Sequence, residues 1–326
     1  MSGRRRVALG IDLGGTTFKV AVVEPDGRVL ASRVEATPIG LAPAATVKTV
    51  MAAARAVVAG LALEPRALSG IGLGVPGALD VERGVVRSSP NLPGWHDVPV
   101  AALAADAIDA PVAVEHDVRL AALAEARAGA GHGVARFVCV TVGTGIGAAI
   151  VLDGRLYRGA SDAAGEIGHV RVRDSGAPCG CGRHGCLETV GSGRAVAEAG
   201  RRRAVAGAAP ALLASAGGAP DAISAQDVFT LAAQGDAACT AIVDEAAAAL
   251  ADGLVVLVNV LNPDVIALGG GLGESGAVLL DRVRAGVRAA AWKPGAEVVR
   301  IVPAALGARA GAIGAALHAA ALGSRC

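Results

Sequence analysis

One order of elements occurs twice in this chain. An apolar run, a glycine-threonine turn, a second apolar run and an Asp-Gly turn follow one another at Val7–Asp12, Gly14-Gly15-Thr16, Phe18–Val23 and Asp26-Gly27. The same order returns at Phe137–Thr141, Gly143-Thr144-Gly145, Gly147–Leu152 and Asp153-Gly154. Short β-branched runs bounded by such turns read as hairpins, because Asp-Gly tolerates the positive φ that a two-residue turn needs. The repeat predicts a structural duplication: two α/β lobes of related topology, their Gly-Thr turns facing each other across a central cleft.

Between the two copies, periodicity predicts a strand Val29–Val34, an alanine-rich helix over about Ala44–Ala59 and a strand Gly70–Val75 stopped by Pro76-Gly77. A helix near Val100–Ile108, a strand Val112–Glu115 and a helix Val118–Ala128 follow. Beyond the second copy the chain reads as helical. Arg201–Pro220 is expected to be a surface connection, Ala237–Leu261 a long helix ended by Asn262-Pro263, Val265–Leu268 a strand and Gly311–Ala321 a last helix. The expected division is a small lobe of residues 1–118, with residues 305–326 packing on it, and a large lobe of residues 119–304.

Composition narrows the function. With 326 residues, 53% of them hydrophobic, the chain can bury a core for about two domains. A net charge of +1, a single basic cluster at Arg4-Arg5-Arg6 and 2% aromatics leave no footprint for nucleic acid or a membrane surface. The longest uncharged apolar stretch, Phe137–Leu152, is shorter than the roughly 20 residues of a spanning helix and is broken by Gly-Thr-Gly, so it is read as a buried hairpin. Asp12 interrupts the apolar run after the basic start, so no export signal is expected. Three of the six cysteines crowd into residues 179–186, while Cys139, Cys239 and Cys326 are scattered, a usage that suits a reducing cytoplasm.

Chemistry concentrates in four places. Three glycine turns follow strands, Gly14-Gly15-Thr16, Gly143-Thr144-Gly145 and Gly269-Gly270-Gly271. Glycine lets the backbone approach a phosphate, and successive N–H groups form an anion cradle, so the set predicts a nucleotide site. Neither a G-x-x-x-x-G-K-[ST] loop nor a G-x-G-x-x-G opening a helix after the first strand is present, so the P-loop and dinucleotide readings lose ground. Cys179, Cys181 and Cys186 with a histidine can close a tetrahedral zinc site of the structural kind, with His169 and His184 both available as the fourth ligand. Glu166 and His169 lie three residues apart and Glu188 closes the same segment. Asp117, at a strand-to-helix junction, is placed either to act as a base or to cap the helix.

Taken together, Gly10-Ile-Asp12-Leu-Gly-Gly-Thr16, Asn91-Leu-Pro-Gly-Trp95, Glu115-His-Asp117, Gly143-Thr-Gly145, Gly165-Glu166-Ile-Gly-His169, Cys179-Gly-Cys181-Gly-Arg-His-Gly-Cys186-Leu-Glu188 and Gly269-Gly-Gly271 resemble the ROK family of sugar kinases and repressors. The resemblance runs from about Val7 to the last helix and implies two RNase-H-like lobes of the actin-like ATPase and hexokinase superfamily. It implies ATP and Mg²⁺ as cofactors, with Asp12, Gly14, Gly15, Thr16 and Thr17 lining one phosphate turn and Asp12 near the magnesium through water. Thr144 and Gly145 would hold the other side of the triphosphate, and Gly270 and Gly271 would lie under the adenosine. Asn91, Glu166, His169 and Glu188 would bind sugar hydroxyls, with Gly77 close by, and Asp117 would be the catalytic base. His169, Cys179, Cys181 and Cys186 would hold a structural zinc within the loop 169–188. A homo-oligomer, dimer or tetramer, is implied as well.

The chain departs from the family text around the base. Glu-Asn-Asp-Ala-Asn is usual, and here the segment is Glu115-His116-Asp117-Val118-Arg119. The first asparagine reads sugar hydroxyls in the family, and an imidazole offers a different donor and acceptor pattern. His116 and Arg119 therefore raise an aminosugar, such as kanosamine, N-acetylglucosamine or N-acetylmannosamine, or a cyclitol as the alternative to glucose. Thr17 also stands where many members carry lysine. A non-catalytic sugar-responsive protein is the third expectation, weakened by the start of the first strand at about Val7, which leaves no room for the repressors' DNA-binding module.

Overall fold

The computed structural model describes residues 7–61, 68–271 and 277–323, so Arg4-Arg5-Arg6 and Cys326 lie outside the described residues. The first part of the chain forms β1 (Val7–Leu13), β2 (Thr17–Val23), β3 (Val29–Ala36), α1 (Pro43–Gly60), β4 (Leu68–Val75), β5 (Ala78–Asp80), β6 (Val85–Ser88), β7 (His96–Val98), α2 (Val100–Ala105), β8 (Val112–His116) and α3 (Asp117–Ala128). Then follow β9 (Arg136–Val142), β10 (Ile146–Leu152), β11 (Arg155–Tyr157), α4 (Glu188–Gly191), α5 (Gly193–Val205), α6 (Pro210–Ser215), α7 (Ala225–Ala233) and α8 (Ala237–Leu261). The last elements are β12 (Val265–Gly269), α9 (Ala277–Ala290), α10 (Lys293–Val298), β13 (Arg300–Pro303) and α11 (Ala310–Gly323).

The duplication is visible as two five-stranded sheets of one strand order, β3-β2-β1-β4-β8 and β11-β10-β9-β12-β13. In each sheet the first hairpin is antiparallel (β1 with β2, β9 with β10), and the next two strands continue in parallel beyond its first strand. Parallel strands covered on both faces carry nearly continuous apolar sequence. Accordingly, six of the seven residues of β1 and all five of β12 are buried. Asp153 and Gly154 both have positive φ, 49° and 74°, the turn that the Asp-Gly signal predicts.

The chain divides into two compact units, Met1–Gly133 with Gly154–Leu156 and Ala308–Cys326, and Val134–Asp153 with Tyr157–Gly307. Each has its own apolar core, one built on Leu9, Ile11, Phe18, Met51 and Leu73, the other on Val140, Leu187, Leu250, Leu254 and Ile266. The division expected after residue 118 would fall inside α3, past its second residue. Here α3 stays with the first unit, because it packs against α11 and Arg127 donates to Leu317 O at 3.5 Å.

The seat of α11 explains several glycines. Strands β1 and β4 present Gly10 and Gly72 to the helix, and a Cβ on either would collide with the carbonyl oxygen of Ala312 or Ala315. Backbone stands on both sides of that contact, so no side chain can move aside. Gly72→Ala is expected to destabilise the first unit by about 3 kcal/mol or more, read as a lower denaturation midpoint.

Two expectations are corrected. Arg201–Pro220 is not an irregular connection: α5 continues to Val205 and α6 spans Pro210–Ser215. Ala209 and Leu212 are fully buried, so this segment pins itself to the second core. The helix expected near Val100–Ile108 stops at Ala105. A small antiparallel sheet, β5-β6-β7, lies between β4 and α2 and was not foreseen, its strands being three or four residues long.

Candidate active site

In the first unit, three parallel strands end side by side. Register pairs Asp12 with Gly74 and Gly74 with Glu115, which puts Asp12, the Gly74–Val75 strand end and the His116-Asp117 junction on one edge. Carboxyl ends of parallel strands are where α/β folds place ligands. Asp12 is held by Lys19, whose Nζ lies 3.0 Å from Oδ2. The two residues face each other across the β1–β2 hairpin. Burial raises the Asp12 carboxyl above its usual range; Lys19 opposes that and the nearby Asp117 charge adds to it. On the far side α11 comes so close that a Cβ on Gly311 would lie 2.6 Å from Oδ2 of Asp12.

Asp117 opens α3. Its Oδ1 accepts the Val118 N–H at 2.8 Å, and His116 Nδ1 lies 3.0 Å from the same oxygen. The Val118 N–H also lies 3.3 Å from His116 Nδ1, which can accept it only when that nitrogen carries no proton and so does not donate to Asp117. Asp117 thus makes the capping contact that its strand-to-helix position predicts. Burial works to raise the Asp117 carboxyl, but the bond from His116, its charge, the Val118 N–H and Lys19 together lower it below the ordinary value. Arg119 turns inward: its Nη1 meets Oε1 of the fully buried Glu115 at 3.1 Å. That ion pair removes Arg119 from the group of residues at the strand edge.

The Gly14-Gly15-Thr16 turn joins β1 to β2, with Gly14 N–H donating to Thr17 O at 3.1 Å. Asn91 backs the turn so closely that a Cβ on Gly15 would lie 2.5 Å from Asn91 O. Gly77 (φ +116°) is pressed against Ser88 and Ser89, on the segment that leads to Asn91.

The second unit gathers the other candidates. His169 Nδ1 is 3.4 Å from Cys179 Sγ, and Cys181 Sγ is 3.7 Å from Cys186 Sγ. One ligand atom from each of the four residues falls within 4.8 Å of every other. Zinc–sulfur bonds of about 2.3 Å in a tetrahedron put sulfurs about 3.8 Å apart, so the donor set and its spacing fit that ion. His184, the rival ligand, instead places its Nδ1 3.1 Å from Gly176 O. Burial pushes the Cys179 thiol up to about 12, whereas the bond from Arg183 pulls Cys181 down to about 6. Glu188 Oε1 is 3.7 Å from His169 Nδ1 and accepts from Cys179 Sγ at 3.0 Å, and Glu166 Oε2 is 4.0 Å from His169 Nε2.

Glu188 also adjoins the second Gly-Thr turn. A Cβ on Gly145 would lie 3.1 Å from its Oε2. Gly193 N–H, at the start of α5, donates to Gly143 O at 2.7 Å, and Thr144 is exposed at the tip. Gly269 pairs with Thr141 at the parallel ends of β12 and β9, and Gly270 (φ +82°) would carry a Cβ 2.7 Å from Val142 O. A Cβ on Gly271 would meet open space. Lys19 is the charged residue that the motif reading passed over. Counting residues across the hairpin from Asp12 finds it, since a tight turn at residues 14–16 sets that register.

Two lobes of one topology, each with a Gly-Thr turn on its first hairpin, have the actin-like ATPase and hexokinase fold. A family model described as ROK family matches residues 8–321. A glucokinase from Streptomyces coelicolor is 33% identical over 95% of this chain and 96% of its own length, and an N-acetylmannosamine kinase from Yersinia pestis is 34% identical over 95% and 97%. The crystal structure of a ROK family glucokinase from Streptomyces griseus in complex with glucose and AMPPNP superposes with a TM-score of 0.78, at 34% identity, over 95% of this chain and 98% of that one. The chain belongs to the ROK family.

Proposed function

We propose that this chain is an ATP-dependent hexose kinase that phosphorylates the 6-hydroxyl of its sugar, with Asp117 as general base. One observation carries the reading: a carboxylate at the carboxyl edge of β8 is kept ionised by His116, the Val118 N–H and Lys19. Phosphoryl transfer to an alcohol asks the protein for positioning, charge stabilisation and a proton acceptor. Asp117 takes the hydroxyl proton as the sugar oxygen bonds to the γ-phosphorus and the bond from that phosphorus to the bridging oxygen breaks.

In the second unit Glu166, His169 and Glu188 would bind sugar hydroxyls and the amides of Thr144 and Gly145 would receive phosphate oxygens; in the first, Asn91 would bind a sugar hydroxyl and the amides of the Gly14–Thr17 turn would receive phosphate oxygens. Lys19 supplies the positive charge that Thr17 lacks. Asp12 would hold Mg²⁺ through water. A single largely buried carboxylate fits that ion, which keeps most of its shell for water and phosphate oxygens. Bound magnesium would neutralise charge on the phosphates. His169, Cys179, Cys181 and Cys186 would hold zinc, with the ring's other nitrogen left for the sugar.

Glucose and an aminosugar remain separable by His116. Its Nδ1 is committed to Asp117, so the imidazole serves the base and does not offer the sugar the paired donor and acceptor of an asparagine amide. The test is ADP release with Mg-ATP across glucose, mannose, N-acetylglucosamine, N-acetylmannosamine, 3-amino-3-deoxyglucose and cyclitols. Silence on all of them would overturn the kinase reading in favour of a sugar sensor. His116→Asn is expected to shift preference toward glucose. It should also move the acid limb of kcat/KM to higher pH: with the His116 bond gone, burial raises Asp117, and activity is then lost earlier as pH falls. An unmoved limb would dismiss His116 as the group that tunes the base.

A further inference from the structure

The first Gly-Thr turn is shaped by a residue outside it. Thr37 follows the last residue of β3 and reaches the turn twice. Its N–H donates to Thr16 O at 2.9 Å, and its hydroxyl donates to Gly14 O at 2.7 Å. Thr37 is only 6% exposed, so both bonds are made away from bulk water. A closed β-turn would give the Gly14 carbonyl to the amide three residues on, that of Thr17.

Each peptide unit is planar and trans, so its N–H points opposite to its C=O. Drawing the Gly14 carbonyl toward Thr37 turns the Gly15 N–H the other way, and drawing the Thr16 carbonyl turns the Thr17 N–H with it. Two amides of one short turn thereby point away from β3. Asn91 also packs against the turn, where a Cβ on Gly15 would lie 2.5 Å from the Asn91 carbonyl oxygen. Successive amides aimed outward from a glycine turn form a cradle for anionic oxygens.

We propose that Thr37 is the positioning residue of the phosphate turn: it presets the amides of Gly15 and Thr17 for the triphosphate without itself touching the nucleotide. This rests on the reading that the turn receives ATP. Thr37→Val keeps the branched shape and the backbone bond to Thr16 but lacks the hydroxyl, whereas Thr37→Ser keeps the hydroxyl.

With sugar saturating, Thr37→Val is expected to raise KM for ATP about tenfold, the scale of one hydrogen bond to a fixed carbonyl. KM for the sugar should stay within about twofold, and Thr37→Ser should restore the ATP value. An unchanged KM for ATP, or equal losses for both substrates in both variants, would overturn the proposal. Amide hydrogen exchange on the unmodified protein gives a second readout should Thr37→Val fail to fold. Gly15 and Thr17 amides that gain protection with AMPPNP support the role, and amides that AMPPNP leaves unprotected overturn it. A wild-type protein without ATP-dependent transfer would fail the kinase reading; an active wild type with an indifferent Thr37→Val fails this inference alone.

Discussion

Asp117→Asn is expected to cut kcat by ~10²–10⁴ or more while sugar and ATP still bind. The amide has the same shape and can still accept the Val118 N–H that Asp117 Oδ1 now receives at 2.8 Å, so the start of α3 should survive. What disappears is the negative charge and with it the proton acceptor. Binding should hold or tighten slightly, because Asp12 loses a neighbouring charge that pushes its own carboxyl upward. Coupled ADP release gives the rate, and calorimetry with sugar and with a non-hydrolysable nucleotide gives the affinities. A fall of less than about tenfold would mean that another group takes the proton.

The second large effect concerns the loop 169–188. Zinc removal is expected to raise KM for the sugar by about 10–100-fold, the scale seen when groups that orient a metal-bound histidine are lost. KM for ATP should rise less, since Asp12 and the Gly14–Thr17 turn belong to the other unit and only the approach of Glu188 to Gly145 links the loop to amides proposed for the triphosphate. The reason is mechanical. His169, Cys179 and Glu188 share one cluster, with 3.4 Å from ring to sulfur and 3.0 Å from sulfur to carboxylate. Without the ion the loop would depend on its glycines, and Glu188 would lose the neighbour that holds it beside Gly145. The check is metal content by atomic absorption before and after chelation, paired with sugar titration. Unchanged sugar affinity in a verified zinc-free sample, or a purified protein that holds no zinc, would refute the coupling.

Much of this architecture can be read from the residues because two strong local signals coincide. Asp153-Gly154 and the Gly-Thr turns fix where hairpins bend, and the apolar runs between them leave little choice of register. Ala237–Leu261 is legible as one helix because its apolar period runs on through Asp252-Gly253, and Asn262, with φ 45°, ends it in the left-handed conformation that asparagine tolerates. Residues 201–220 mislead for the opposite reason. Glycine and proline there suggest a loop, and only the core that receives Ala209 and Leu212 makes the segment helical.

At the site, spacing can nominate ligands but cannot rank them. His184 lies inside the cysteine loop and His169 ten residues ahead of its first cysteine, yet the thiols converge with His169. Arg119 looks like a polar residue beside Asp117 until Glu115 is found buried next to it. Thr37 carries no motif of its own, and its part depends on a strand pairing that brings residue 37 beside residues 14 and 16.

The glycine-lined seat of α11 has a consequence for biosynthesis. Strands β1 and β4 leave the ribosome early, while the helix that covers Gly10 and Gly72 begins only at Ala310. At about 5–20 residues per second, the first sheet waits on the order of ten seconds or more with one face open. The second unit needs almost nothing outside one continuous stretch, Val134–Asp153 and Tyr157–Gly307, so it can close its core first. The part of the molecule made first is therefore finished last, and a nascent chain would spend that interval with a narrow apolar groove available to chaperones.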